Sequence, residues 1–73
     1  MTDHVYKTIE LTGSSREGLQ QAITGAVQRA AETVHHLRWF EVTNIRGDIA
    51  EDSIQYWQVT LKVGFTLEQE RAP

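Results

Sequence analysis

The alternation of apolar and polar residues changes its period along the chain. Residues 4–12 alternate with a period of two, and Val5, Ile9 and Leu11 share one face, which predicts a β-strand that ends at Gly13. From about residue 15 to residue 36, apolar residues recur at spacings of three and four, which predicts one long amphipathic helix. The apolar positions of this helical stretch are Leu19, Ala22, Ile23, Ala26, Val27, Ala30, Val34 and Leu37.

Two features of the helical stretch need their own interpretation. Ser14 and Glu17 have the spacing of a capping box, in which the serine caps free N–H groups and the glutamate reaches back. Gly25 lies inside the predicted helix, where glycine costs about 1 kcal/mol relative to alanine. We interpret Gly25 as a point of close packing against a strand or a neighbouring molecule.

The remainder of the chain predicts a long hairpin of two strands, 38–49 and 54–67, joined by a turn at 50–53. In the first of these strands, Phe40 and Val42 share one face. The other face carries Trp39, Glu41, Thr43 and Ile45, and a bulge or bend is expected near 46–47. The last strand has an unbroken apolar face made of Trp57, Val59, Leu61, Val63, Phe65 and Leu67. Because neighbouring side chains of a strand point to opposite faces, Trp39 and Phe40 cannot enter the same core.

These elements predict a single α+β domain over residues 1–73, with an ordered core at about 4–68. Its order is β-α-β-β, a three-stranded antiparallel sheet curled around one long helix. A strand of 14 residues spans roughly 46 Å, whereas a helix of about 22 residues spans roughly 33 Å. The hairpin is therefore longer than the helix that would cover it. The uncovered face would expose Tyr6, Trp39, Ile45, Tyr56 and Ile54, which predicts self-association.

Composition narrows the function classes. The chain has no cysteine, which excludes disulfides and thiolate metal sites and is compatible with the cytoplasm. It has no apolar run long enough for a membrane span, and its polar first residues do not resemble a signal peptide. A net charge of −3 at pH 7 argues against general nucleic-acid binding.

No motif for catalysis is found in the sequence. There is no glycine-rich phosphate loop, nucleophile motif or zinc-ligand spacing. We interpret His4, His35 and His36 as surface or interface histidines. Glu51 and Asp52 imitate a carboxylate pair, but they fall in the predicted turn and are interpreted as solvated charges. The sequence therefore favours a protein that is not an enzyme.

One group of residues could hold a ligand: Trp39, Gln58, Arg46 and Lys62. The parity of each strand places Trp39 and Gln58 on the sheet face away from the helix, and the hairpin can bring them near each other, depending on its register. An indole offers a flat stacking surface, an amide can donate and accept hydrogen bonds at a heterocycle edge, and a guanidinium suits a phosphate. Together they indicate a planar, phosphorylated heterocycle. The alternative is a tryptophan that is simply buried in an interface between molecules.

The chain resembles the dodecin family over about residues 4–68. The resemblance rests on the segments 37–42 (LRWFEV), 45–47 (IRG) and 56–65 (YWQVTLKVGF). It is supported by the segments 5–7 (VYK) and 10–15 (ELTGSS) and by the alanine-rich helix. The length, the order and the spacing of these segments all match together.

The resemblance implies a fold and a function. Dodecins are small β-α-β-β flavoproteins that form hollow homododecamers with sites on two-fold and three-fold axes. The resemblance implies that Trp39 stacks on a flavin (FMN, riboflavin or FAD), that Gln58 hydrogen-bonds the isoalloxazine ring and that Arg46 lies near the phosphate. It implies storage of flavins as stacked pairs and quenching of their photochemistry, and it implies coenzyme A binding in some bacterial members.

The chain departs from the family pattern at two positions. Several bacterial members carry a basic residue where this chain has Thr66, which puts the preference for FMN over riboflavin in question. The residue before the glutamine is Trp57, which we assign to the core by parity. A flavin-dependent redox enzyme and a purely structural assembly module are the two rival interpretations.

Overall fold

The computed structural model describes residues 4–67, which form four elements. They are β1 (Tyr6–Ser15), α1 (Leu19–Ala31), β2 (Leu37–Ala50) and β3 (Ser53–Thr66). The strands form one antiparallel sheet in the order β1-β3-β2. The predicted α+β class and the β-α-β-β order are confirmed. The predicted polar tail, from residue 68 onward, lies outside the described residues.

The helix is shorter than the pattern predicted, and the first strand is longer. The strand β1 continues through Gly13 to Ser15, because Ser14 and Ser15 pair with Gln58 and Trp57 of β3. The predicted capping box is therefore wrong: the helix begins after Gly18, without a side-chain cap. The Ser15 hydroxyl instead accepts a hydrogen bond from the Glu17 backbone N–H at 2.9 Å. Ladder hydrogen bonds to β3 thus outweigh the local capping signal.

The two glycines at the helix–sheet contact have opposite surroundings. A Cβ atom at Gly13 would clash with the carbonyl oxygen of Ala22 and lie 3.0 Å from the Cβ of Ala26. A Cβ atom at Gly25 would have no atom within 4 Å. The close packing against a strand predicted for Gly25 is therefore wrong, and Gly13 is the residue that lets the helix approach the sheet.

The core is small and consists of one helix stripe on one strand face. Its buried apolar side chains are Ala22, Ala26, Ala30, Val59, Leu61 and Val63. The alanines allow α1 to lie close to β1 and β3, on which it packs. Seven partly buried side chains complete this cluster: Ile9, Leu11, Leu19, Ile23, Val27, Leu37 and Val42.

The helix leaves the helix-side face of β2 largely uncovered. Phe40 is on that face, opposite Val63, but it is 50% exposed. It lines a groove of about 590 Å³ together with Leu19, Ile23 and Val27. Trp57 is half-buried and is not part of the core cluster, so its assignment to the core is wrong. The reason is that α1 ends well short of the far end of the hairpin.

The hairpin outreaches the helix by more than the sequence predicted. A helix of 13 residues spans roughly 20 Å, whereas each 14-residue strand spans roughly 46 Å. At the far end, Glu51 and Asp52 form a two-residue turn with φ values of 53° and 67°. Two positive φ values are typical of a type I′ hairpin turn. Within residues 4–67, no helix is long and apolar enough to cross a membrane.

The two glycines give a matched pair of stability predictions. We expect Gly13→Ala to lower the free energy of unfolding, because its Cβ forces the Ala22 carbonyl away from the sheet. We expect Gly25→Ala to raise it by about 1 kcal/mol through helix propensity. Urea unfolding followed by circular dichroism, at one protein concentration, measures both. A loss of stability in Gly25→Ala would show instead that a neighbouring copy packs at this position.

Candidate functional site

A bulge at Arg38 aims two neighbouring side chains at opposite faces of the sheet. Leu37 pairs with Phe65 and Trp39 pairs with Gly64, so Arg38 is an extra residue between two consecutive pairs. In a regular strand, residues 37 and 39 would share a face. The bulge instead lets Leu37 pack against the core. Trp39 lies on the face away from the helix, which we call the outer face.

The indole of Trp39 lies directly over Gly64. A Cβ atom at Gly64 would clash with Cε2, Cζ2 and Cδ2 of that ring, so only glycine leaves room for it. Tyr6 contacts the indole edge-on, with ring centroids 6.3 Å apart and an interplanar angle of 65°. Trp39 stays 42% exposed. Because Gly64 lies beneath one side of the indole and the ring is still partly exposed, we infer that the exposed area includes the opposite face, which a stacking ligand would meet.

A second bulge, at Thr43, brings Arg46 onto the outer face. Val42 pairs with Leu61 and Asn44 with Thr60, so Thr43 is the extra residue, and its hydroxyl donates to the Thr60 carbonyl at 3.1 Å. From this point the parity of β2 is reversed. Arg46 consequently pairs with Gln58, and its Nε donates to the Gln58 Oε1 at 2.8 Å.

Ile45 was predicted to share a face with Trp39, and this is wrong. The bulge at Thr43 pairs Ile45 with Val59, which belongs to the core face. A bulge or bend was predicted near 46–47, and the irregularities of the pairing fall at Arg38, at Thr43 and between Asp48 and Ile49. Tyr6 and Tyr56 lie on the outer face as predicted, opposite Thr66 and Asp48 respectively.

The structure divides the predicted ligand group into separate places. Arg46 and Gln58 are in direct contact. Lys62 lies on the outer face between Glu10 and Glu41, its cross-strand neighbours. Trp39 pairs with Gly64, six residues along β3 from Gln58, which is a separation of roughly 20 Å. A single aromatic ring cannot contact Trp39 and Gln58 of the same chain.

The Gln58 end of the outer face is a polar network. The hydrogen bond from Arg46 fixes the amide of Gln58 with its oxygen toward the guanidinium. Ser14 is its neighbour on β1. Farther along, Arg16 donates to the Tyr56 hydroxyl from Nε at 3.2 Å and from Nη2 at 3.0 Å. The Gln58 amide is therefore held in one orientation, with its NH₂ group as a donor and a remaining lone pair on Oε1.

The other candidates from the sequence do not form a site. Glu51 and Asp52 are exposed turn residues. His35 and His36 stack edge-on with ring centroids 6.3 Å apart. Among residues 4–67, no group of three His, Asp or Glu side chains is arranged to hold a metal ion.

Two residues of the Trp39 region escaped the sequence argument. Gly64 was not singled out within the last strand, although a glycine inside a strand often marks a place where another group approaches the backbone closely. Sequence reasoning assigned Arg38 no role at the site, but its Nε donates to the Thr66 hydroxyl at 3.0 Å, beside Trp39. Two signals could have identified them. Arg38 immediately precedes the exposed Trp39 in the sequence, and Gly64 lies opposite Trp39 once the register is known.

Comparison with known proteins identifies close relatives. The family model described as Dodecin matches residues 5–68. A dodecin from Thermus thermophilus is 54% identical over 65 residues, which is 89% of this chain and 94% of that protein. The structure of a dodecin from Streptomyces coelicolor has 46% identity and a TM-score of 0.89, covering 96% of this chain and all of that one. A calcium-chelating dodecin from Mycobacterium tuberculosis has 28% identity and a TM-score of 0.76, covering 94% and 99% of the two chains.

The contact between Trp39 and Gly64 gives a direct prediction. We expect Gly64→Ala to lift the indole off the sheet, because the added methyl group occupies the space of the ring. In a Trp57→Phe background, Trp39 emission should shift to the red and its quenching by acrylamide should rise. Unchanged emission and unchanged quenching, with the fold intact by circular dichroism, would contradict the assigned position of the indole.

Proposed function

Because the chain belongs to the dodecin family, we propose that it stores and buffers flavins, FMN or riboflavin, without catalytic turnover. The observation that carries the proposal is the indole of Trp39, which lies on Gly64 and is exposed on the outer face. This arrangement suits a flat aromatic ring. The alternative, a tryptophan that only fills an interface between copies, is decided by the flavin titration below.

The residues of the chain fit a flavin in distinct roles. Trp39 stacks on the isoalloxazine, and contacts of this type contribute about 1 kcal/mol beyond area burial. Gln58 offers an N–H donor and an acceptor to the ring edge, held in place by Arg46. The contact of Arg46 with a phosphate, which the family resemblance implied, remains a prediction, because the Nε of Arg46 already holds Gln58. Lys62 adds positive charge nearer to Trp39 on the same face.

The site requires more than one copy of the chain. Trp39 and Gln58 of one chain are roughly 20 Å apart along β3, so both act on one ring only when they come from different copies. The exposed groove at Phe40 and the uncovered end of the hairpin also need partners. A homododecamer that holds stacked flavin pairs between tryptophans of two copies meets these needs. Coenzyme A as a further ligand and a cytoplasmic location remain predictions.

The proposed role of Trp39 is photochemical protection as well as binding. A bound flavin supplies a light-absorbing, redox-active ring. An electron-rich indole in stacking contact would offer an electron to the excited ring and recover it, which would quench emission. Stacking on both sides also excludes substrates from the ring faces, which favours storage over a flavin-dependent redox enzyme.

Flavin titration tests the storage function and the choice of tryptophan. Titrating the ligand-free protein into FMN should quench flavin emission. Trp39→Ala should weaken binding about fivefold or more, from the loss of about 1 kcal/mol of stacking. Trp57→Phe is the matched control and should bind normally, because Trp57 lies on the helix side. No quenching by the unaltered protein would refute flavin storage, and unchanged affinity in Trp39→Ala would refute the role of Trp39.

Mixed assemblies test whether the site is shared between copies. Trp39→Ala and Gln58→Ala chains each lack one half of the site. Co-expressed in one assembly, they should form some sites with an intact Trp39 and an intact Gln58 from different chains. We expect flavin affinity in such assemblies to exceed that of either variant alone. Affinity no higher than in the separate variants would show that the two residues do not serve one ring.

A further inference from the structure

Arg38 occupies an exposed position at the edge of the Trp39 site. It is the bulged residue immediately before Trp39, so its backbone falls outside the regular pairing of β2 with β3. Its Nε donates to the hydroxyl of Thr66 at 3.0 Å. Thr66 is on the outer face, opposite Tyr6, whose ring contacts the indole. The guanidinium is therefore fixed beside the stacking surface.

Most N–H groups of the Arg38 guanidinium are available to a ligand. A guanidinium has five N–H donors in a rigid plane, and one of them is used by Thr66. Within residues 4–67 the ion pair that forms is Arg29 with Glu32, and it does not involve Arg38. The terminal nitrogens of Arg38 can thus form the bidentate contact that guanidinium makes with phosphate.

We propose that Arg38 is the anion-binding residue of the Trp39 site and that it selects a phosphorylated flavin over an unphosphorylated one. This inference rests on the proposed flavin storage. It assigns the phosphate contact to the chain that supplies the stacking indole. Arg46, in contrast, uses its Nε to hold Gln58 and lies at the Gln58 end of the outer face.

The charges around Arg38 on the outer face are consistent with this role. Lys62 adds a second positive charge two residues from Gly64 on β3. The carboxylates of Glu10 and Glu41 flank Lys62 on the neighbouring strands, opposite it rather than opposite Arg38. Thr66 carries no charge and acts as a positioning residue, because its hydroxyl accepts a hydrogen bond from the Arg38 Nε–H and so orients the guanidinium.

The test compares FMN with riboflavin, which differ by the phosphate alone. Both are titrated by fluorescence quenching into the assembled protein and into Arg38→Met. We expect FMN to bind Arg38→Met about fivefold or more weakly, as for the loss of a charge-assisted hydrogen bond at an exposed site, and riboflavin to bind equally. The FMN affinity of the unaltered protein should also fall more steeply with salt than that of the variant.

Four further variants make the outcome specific. Arg29→Met makes the same charge change on the helix and should leave the FMN-to-riboflavin ratio unchanged. Thr66→Val should lower the FMN-to-riboflavin affinity ratio in part, whereas Thr66→Ser, which keeps the hydroxyl, should leave it near that of the unaltered protein. An unchanged ratio in Arg38→Met, or a fall in the ratio that only Arg46→Met produces, would overturn the assignment of Arg38. If the unaltered protein binds neither flavin, the storage function itself fails.

Discussion

The register between β2 and β3 is the constraint on which the rest of the structure depends. Side chains of a strand alternate between faces, so a shift of one residue moves every later side chain to the other face. The bulge at Arg38 sends Leu37 into the core and Trp39 out of it, and the bulge at Thr43 then sends Ile45 inward and Arg46 outward. Core packing and the candidate site are thus fixed by the same two irregularities.

The sequence predicted the elements of the fold because their periods are strong. The apolar face of β3 contains the buried Val59, Leu61 and Val63, and the alanine stripe of α1 is its partner. The element ends were less predictable, since the pairing of Ser14 and Ser15 with β3 overrides a capping signal that is local. The bulges at Arg38 and Thr43 were not predicted, because nothing in the identity of these two residues indicates an extra residue in a strand. Their reason lies in side chains on the neighbouring strand, such as Gly64 and Gln58.

The candidate site was predictable in its residue types and not in its arrangement. Parity alone placed Trp39 opposite to Phe40, and this holds. The distance of roughly 20 Å between Trp39 and Gln58 follows only from the register. The helix covers less than half the length of the hairpin, so the chain exposes apolar surface. The same chain also carries the two halves of the candidate site, Trp39 and Gln58, far apart from each other. In the proposed assembly, self-association completes the core and the site in one step.

The bulges of β2 also affect how the protein avoids aggregation. The strand order makes β2 an edge strand, with a row of backbone N–H and C=O groups that has no strand beside it among residues 4–67. A long, regular and partly apolar edge is a template for pairing with other chains as cross-β structure. The bulged residues Arg38 and Thr43 interrupt that row along the strand. The departures from regular pairing that place Trp39 and Arg46 on the outer face therefore also act against fibril formation.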